Sequence, residues 1–360
     1  MDAIFYDDVE TIAKAIAEDA LALEAKTLLI SGGAGFLGNY FIGVIEYLNS
    51  HVLKTPCHII SIDNFTSGVS YATGENKDLT TIRHDIKNPL SIGRDVHFII
   101  HAAGLASPKF YRQHKIETID VATLGTKNLL ELARKPYVES MLYFSSSEVY
   151  GDPHPAFIPT PETYWGNVSF TGPRSNYDES KRLGEAMCVA YYQTYNLPVK
   201  AVRPFNVYGP GMRIDDYRVI PNFVSNLFRG KPLPVYGGGN RTRTFCYVTD
   251  AMTGFFKVLF STHNGEAFNV GNDDEEISIV ELAHVMNSLF SPENGVQKTK
   301  GINDAYAEGD PSRRLPDLTK IRTLLSYSPE IGLKTGLKRF YAWAKEKYGN
   351  SDLPATINCP

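Results

Sequence analysis

Tyr177 and Lys181, in Tyr177-Asp178-Glu179-Ser180-Lys181, stand four positions apart. On a helix that spacing puts them on one face, a turn from each other. An ammonium is thereby set near a phenol, and a nearby cation favours the phenolate over the neutral form. A free tyrosine with a pKa of about 10 is a poor base at neutral pH; beside a cation it can take a proton from an alcohol. Upstream lies Phe144-Ser145-Ser146-Ser147-Glu148-Val149-Tyr150-Gly151, a run of hydroxyls ending in a carboxylate.

Such groups need a rigid frame, and the N-terminal half supplies its signals. Lys26 to Ser31 is a short apolar run fit for a buried parallel strand. It leads into Gly32-Gly33-Ala34-Gly35-Phe36-Leu37-Gly38 and a helical pattern from Asn39 to Asn49. Glycines 32, 35 and 38 permit a tight turn, close approach of the backbone to a pyrophosphate, and close helix–strand packing. The helix start, at Phe36 and Leu37, then directs free N–H groups and the helix dipole at the phosphates. A second strand ends at Asp63, followed by Asn64, some 25 residues beyond the last glycine. An acid there accepts hydrogen bonds from the adenosine ribose and repels a 2′-phosphate, which favours NAD over NADP. Asp85, with Ile86, follows a third strand and is placed to meet the adenine amino group. A fourth strand ends in Ala102-Ala103-Gly104, small enough to let the backbone lie against a dinucleotide. A helical stretch from Ile116 to Arg134 leads to a fifth strand, Ser140 to Ser145. This alternation predicts an α/β fold, a Rossmann-type doubly wound parallel sheet with a smaller C-terminal substrate-binding lobe.

Composition narrows the function classes. The 360 residues carry a formal charge of −4, with 43% hydrophobic and 21% charged residues, which gives no electrostatic case for nucleic acid. No apolar run approaches the roughly 20 residues needed to span a bilayer. The four cysteines (Cys57, Cys188, Cys246, Cys359) show no metal-ligand spacing, so no metal is expected, and the thiols suit a reducing, cytoplasmic setting. Residues 1–25 carry apolar positions at helical spacing, as for an amphipathic helix packed on the outside of the main domain. The remaining divisions expected are an NAD-binding domain over 26–205 with returning segments near 242–271, a nucleotide-sugar lobe over 206–241 and 272–348, and a tail over 349–360.

Gly32-x-x-Gly35-x-x-Gly38, Asp63, Ser146 and Tyr177-x-x-x-Lys181 resemble the extended short-chain dehydrogenase/reductase family, the nucleotide-sugar epimerases, dehydratases and decarboxylases. Further segments are similar to its UDP-glucuronate decarboxylase branch. They include Ala106-Ser107-Pro108-Lys109-Phe110-Tyr111, Gly172-Pro173-Arg174, Arg203-Pro204-Phe205-Asn206 and Arg313-Arg314-Leu315-Pro316-Asp317. The resemblance covers residues 26–348 and implies a bound NAD that takes hydride from C4 of the sugar. It implies Tyr177 as base, Lys181 as its tuning partner and a cofactor contact, and Ser146 as a hydrogen-bond partner of the reacting oxygen. It places Tyr111, Ser147, Asn206, Asn222, Arg243 and Arg314 on the nucleotide sugar. Dehydratases of the family resemble Ser-Thr-Asp-Glu at the second site, whereas this chain has Ser146-Ser147-Glu148. A hydroxyl is a poor acid for expelling a C6 hydroxyl. A C6 carboxylate, by contrast, leaves as CO2 once C4 is a ketone, with Glu148 positioning the sugar or relaying a proton. The implied reaction is NAD-dependent decarboxylation of UDP-glucuronate to UDP-xylose or the 4-keto-pentose. A 4,6-dehydratase, a 4-epimerase or a non-catalytic sensor are the alternatives. Family members commonly pair the Tyr–Lys helix with its symmetry mate, which implies a homodimer. One departure stands out: Ala122-Thr123-Leu124-Gly125-Thr126 replaces the usual Asn-x-x-Gly-Thr, so a buried polar contact under the cofactor is absent or supplied elsewhere.

Overall fold

Short, wholly apolar strands bury both faces only inside a parallel sheet with helices on each side, and this chain adopts that frame. The structure is a computed structural model that describes residues 2–68, 76–299 and 309–349; the tail from 350, with Cys359, lies outside them. The central strands are β1 (Thr27–Ser31), β2 (His58–Asp63), β3 (Leu79–Arg83), β4 (Phe98–His101), β5 (Ser140–Phe144), β6 (Val199–Pro204) and β7 (Ala267–Val270). They form one sheet in the order β7-β6-β5-β4-β1-β2-β3, and every pairing is parallel. All residues of β1, β4 and β5 are buried. The order reverses between β1 and β4, so the loops leaving their carboxyl ends part and open a crevice there.

The helices in chain order are α1 (Ala3–Ala15), α2 (Phe36–His51), α3 (Pro108–Gln113), α4 (Lys115–Asp120), α5 (Thr126–Ala133), α6 (Ser175–Tyr195), α7 (Val219–Phe228), α8 (Val248–Phe260), α9 (Ile279–Phe290), α10 (Thr319–Leu325) and α11 (Leu333–Tyr348). Alternate strand residues feed opposite layers, as a two-residue period requires. Leu28 and Ile30 join the core formed with α1, α2, α8 and α11. Leu29 joins the core on the other face, with residues of α5 and α6.

α1 reaches deeper than a helix resting on the outside. Asp2 caps it by accepting the Ile4 N–H (3.1 Å), and Phe5, Val9 and Ile12 enter the main core. Asp8, fully buried, accepts hydrogen bonds from the hydroxyls of Tyr40 (3.1 Å) and Tyr247 (2.9 Å) and from Arg339 (2.7 Å). Such complete pairing is what lets a carboxylate leave water. The stretch expected as one helix from Ile116 to Arg134 is α4 and α5 joined by a π-turn, Val121–Gly125. At Gly125 the chain lies so near β4 and the loop after β3 that a Cβ would stand 2.8 Å from the Ile86 side chain.

In β6, Lys200 is buried and its ammonium donates to the Ser140 hydroxyl (2.8 Å). Burial lowers its pKa to about 8 from 10.5. The unfolded chain therefore holds this proton more tightly: stability rises with pH between about 8 and 10.5, and the penalty is complete below that window. The drop corresponds to roughly 3 kcal/mol. Lys200→Met is expected to raise the thermal midpoint at pH 7 by several degrees and to flatten the rise of stability above pH 8, as read from melting curves across pH.

Candidate active site

The crevice has two sectors. In the first, Gly32 leaves β1 with a φ of +82°, and a Cβ there would stand 2.7 Å from the Ala103 backbone nitrogen. One at Gly38 would stand 2.2 Å from the Gly32 carbonyl oxygen. Gly35 caps α2; the first N–H groups of α2, at Phe36 and Leu37, have no carbonyl within the helix to reach. At the end of β2, the two oxygens of Asp63 accept the Ala34 N–H (3.0 Å) and the Phe65 N–H (2.7 Å). The carboxylate is thus fixed beside the glycine turn with lone pairs left for a ribose hydroxyl. Asp85 accepts from the Asn64 amide (3.4 Å) and the Lys87 N–H (3.1 Å), and Ile86 is buried beside it. A cradle with no room for Cβ atoms, an anion-binding helix end and a fixed acid fit a dinucleotide.

In the second sector, every residue assigned above to catalysis or to the sugar nucleotide lines one cavity of about 350 Å³, which Phe36, Leu37 and Ala102 border on the cofactor side. Asp63, Asn64, Asp85, Ile86, Gly32, Gly35 and Ala103 stand apart from it, in the first sector. The Tyr177 ring stacks on Tyr111 with centroids 5.2 Å apart and planes at 24°. Burial pushes the Tyr177 phenol well above its usual value; the Ser146 hydroxyl draws it down and the Glu148 carboxylate pushes it up. Lys181 is buried as well, and its ammonium donates to the Phe144 carbonyl (2.6 Å), 6.0 Å from the Tyr177 ring centre. Burial lowers Lys181 to about 8 against the opposing pull of Glu185 and Cys188. The ammonium lies near the phenol ring while its hydrogen bond to Phe144 anchors it to the end of β5.

Below this pair runs a buried polar chain. Thr126 donates its hydroxyl to the Ala122 carbonyl (2.7 Å), and its oxygen lies 3.1 Å from His101 Nε2; His101 Nδ1 lies 2.7 Å from the Ser31 hydroxyl. Burial, helped by the Lys181 charge, holds His101 down at about 3, so the imidazole is neutral. These side chains supply polar contacts in the layer where the usual asparagine is missing.

Ser146 caps a 3₁₀ turn, Ser147–Tyr150, by accepting the Glu148 N–H (3.2 Å). That turn aims Glu148 between two guanidiniums: Arg174 Nη2 lies 2.6 Å from one oxygen and Arg314 Nη2 2.7 Å from the other. Arg314 also donates to the Asn206 amide oxygen (3.0 Å), and Asn206, at φ +42°, donates to the Thr244 carbonyl (2.8 Å). Arg243 donates to Asp310 (2.8 Å) and to the Pro311 carbonyl (2.7 Å), and burial lowers it to about 10. Asn222 contributes from α7, where its backbone and side-chain oxygens accept from Asn226.

Three members were not legible as site residues: Arg174, Asp178 and Asp310. Asp310 accepts from both Arg174 (3.0 Å) and Arg243 (2.8 Å). Burial would raise its pKa, but Arg243, Arg314, Arg174 and Arg241 outweigh that and lower it. Asp178, buried in α6, is pushed up to about 7 by burial and then by Glu148, with Arg174 opposing. Helical spacing was the available signal, since Arg174 precedes Tyr177 by three residues and Asp178 by four.

Residues 28–271 match the model of the NAD dependent epimerase/dehydratase family, and the chain belongs to that family. Among curated proteins, UDP-glucuronic acid decarboxylase 5 of Arabidopsis thaliana is 38% identical over 312 residues, 86% of each chain. UDP-glucuronic acid decarboxylase 1 of Danio rerio is 37% identical over 88% of this chain and 72% of its own. Among solved structures, the dTDP-glucose 4,6-dehydratase DesIV of Streptomyces venezuelae, with NAD bound, superposes with a TM-score of 0.77 at 27% identity over 91% of this chain and 99% of its own.

Gly32→Ala places a methyl group against the Ala103 backbone at a φ that side chains avoid. It is expected to weaken NAD binding by at least about tenfold, or 1.4 kcal/mol, in calorimetric titration of protein whose circular dichroism shows it folded. Unchanged affinity would detach the glycine turn from the cofactor.

Proposed function

We propose that the protein is an NAD-dependent UDP-glucuronate decarboxylase that releases CO2 and leaves UDP-xylose or the 4-keto-pentose. The observation that carries the reading is the acid/base inventory of the cavity. Ser147, at the position where the elimination mechanism needs an acid, offers only a hydroxyl, while Glu148 is held between Arg174 and Arg314. That inventory suits a substrate whose C6 group departs without a proton. The relatives named UDP-glucuronic acid decarboxylase point the same way.

The glycine turn and Asp63 would hold NAD, which when bound would supply the hydride acceptor for C4. Once its own proton has been given up to solvent, the Tyr177 oxygen, as phenolate near the Lys181 charge, takes the C4 hydroxyl proton, and Ser146 orients that oxygen by hydrogen bonding. Lys181, tied to Phe144, sets a positive charge beneath the pair. With C4 a ketone, the C6 carboxylate is β to a carbonyl: the C5–C6 bond breaks, its electrons form the enolate, and CO2 leaves. The Ser146 and Tyr177 hydroxyls are placed to hydrogen-bond the enolate oxygen. Arg314 is positioned to hold the substrate's negative charge, and Glu148 lies on the sugar side for positioning or for proton relay to C5. We assign Arg243, Asn222, Asn206 and Tyr111 to the nucleotide diphosphate and sugar. The dinucleotide domain is assigned residues 26–205 with the 242–271 segment, and the sugar lobe 206–241 and 272–348.

A homodimer built on α6 is part of this proposal. Ile116 (67% exposed) on α4 and Leu183 (51% exposed) on α6 are large apolar side chains facing water on adjoining helices. A cytoplasmic setting fits the buried, unpaired Cys57, Cys188 and Cys246. No described helix is long and apolar enough to cross a membrane.

Incubation with UDP-glucuronate is expected to release CO2; turnover of a neutral hexose nucleotide without CO2 would favour a dehydratase or epimerase instead. Tyr177→Phe is expected to lower kcat by roughly 10²-fold or more. Full activity in that variant would sink the mechanism, and a wild-type protein that binds UDP-glucuronate without turnover would mark a sensor. Leu183→Asp is expected to shift the sedimenting species from dimer to monomer.

A further inference from the structure

We propose that Arg174 is a positioning residue for the decarboxylation: it fixes the Glu148 carboxylate, and with it the sugar-side face of the Tyr177–Tyr111 stack. The inference rests on the decarboxylase reading above and adds a residue to it.

Arg174 stands at the N-cap of α6, on the helix face of Tyr177 and Asp178. It is only 8% exposed, and its guanidinium serves Asp178 one turn on and three neighbours from other parts of the chain. Nη2 lies 2.6 Å from Glu148 Oε2, and Nη1 donates to Asp310 Oδ1 (3.0 Å). Nε lies 3.9 Å from Asp178 Oδ2, and the guanidinium carbon 5.9 Å from the centre of the Tyr111 ring that stacks on Tyr177. A planar fork can address several carboxylates from fixed directions, which a lysine's single point charge cannot.

Glu148 is gripped from two sides, by Arg174 on one oxygen and Arg314 on the other (2.7 Å). Arg314 comes with the 310–314 segment of the sugar lobe, whereas Arg174 belongs to the helix that carries the base. Arg174 therefore registers the carboxylate against Tyr177. Without it, Glu148 has Arg314 alone and faces the buried Asp178, whose carboxyl is already pushed up by burial and by Glu148. Like charges at such range repel in a site shielded from water. The carboxylate would turn towards Arg314 and away from the bond that breaks. The charged and titratable groups around it are Arg174, Arg314, Arg243, Asp178, Tyr177 and Tyr111.

If Arg174 acts through Glu148, removing both must cost little more than removing one. The test measures kcat and KM for CO2 release from UDP-glucuronate by the wild type, Arg174→Gln, Arg174→Lys, Glu148→Gln and the two Arg174/Glu148 double variants. Arg174→Gln is expected to lower kcat about a hundredfold with KM within about threefold, and Arg174→Lys to recover about tenfold of that loss. In the Glu148→Gln background either Arg174 change is expected to cost less than about threefold further. Losses that multiply in the double variants, or an effect confined to KM with lysine no better than glutamine, would overturn the inference and leave the decarboxylase reading standing. Should Arg174→Gln fail to fold by melting, the charge-retaining lysine series carries the same comparison. A wild type that releases no CO2 overturns the functional reading and this inference with it.

Discussion

Two carboxylates and three guanidiniums share one partly dehydrated volume at the cavity wall, and the site depends on their alternation. Glu148 lies between Arg174 and Arg314, and Asp310 between Arg174 and Arg243. Taken from water singly, each ion would cost several kcal/mol; in alternation each faces an opposite charge, and Asp310 is also hydrogen-bonded by Arg174 and Arg243. The consequence is geometric. Residues near 148, 174 and 310–314 come from the turn after β5, the base-bearing helix and the C-terminal lobe, and the charges leave them little freedom to separate. A network of this kind gives weak grounds for net stability but a strong constraint on arrangement.

The Tyr177 and Lys181 pair is governed by burial rather than by mutual attraction. Both are 5% exposed, and both are moved towards their neutral forms, the phenol upward and the amine downward. Lys181 is fixed by the Phe144 carbonyl, so its position follows β5 rather than the phenol. Beneath it, the neutral His101 joins Ser31 and Thr126 into a polar layer that adds no charge to an already positive neighbourhood. The site thus keeps its alternating ion pairs on the sugar side, while burial shifts the titration of Tyr177, Lys181 and His101 nearer the cofactor.

Local spacing made much of this legible. The glycine turn, Asp63 and the strand ends follow from periods of two and from a turn whose steric demands are met within a few residues. The resemblance added Ser146, Ser147, Glu148 and Arg314, all of which line the cavity. What stayed hidden depends on contacts far apart in the chain. Asp310 meets Arg174 across 136 positions, and nothing near either residue announces the other. The lysine's preference for a backbone carbonyl, the π-turn at Val121–Gly125 and the depth of α1 are likewise decided by packing. In each case local propensity is compatible with several outcomes.

The burial of Asp8 ties α1 to α11. Its partner Arg339 lies 331 residues later, and Tyr40 and Tyr247 complete the cage. A ribosome delivers roughly 5–20 residues per second, so α1 is made well before α11 and waits many seconds for its last counter-charge. Until α11 arrives, seating α1 would bury a carboxylate short of its cation, while leaving it unseated exposes Phe5, Val9 and Ile12. The seat of α1 is therefore complete only once α11 is in place.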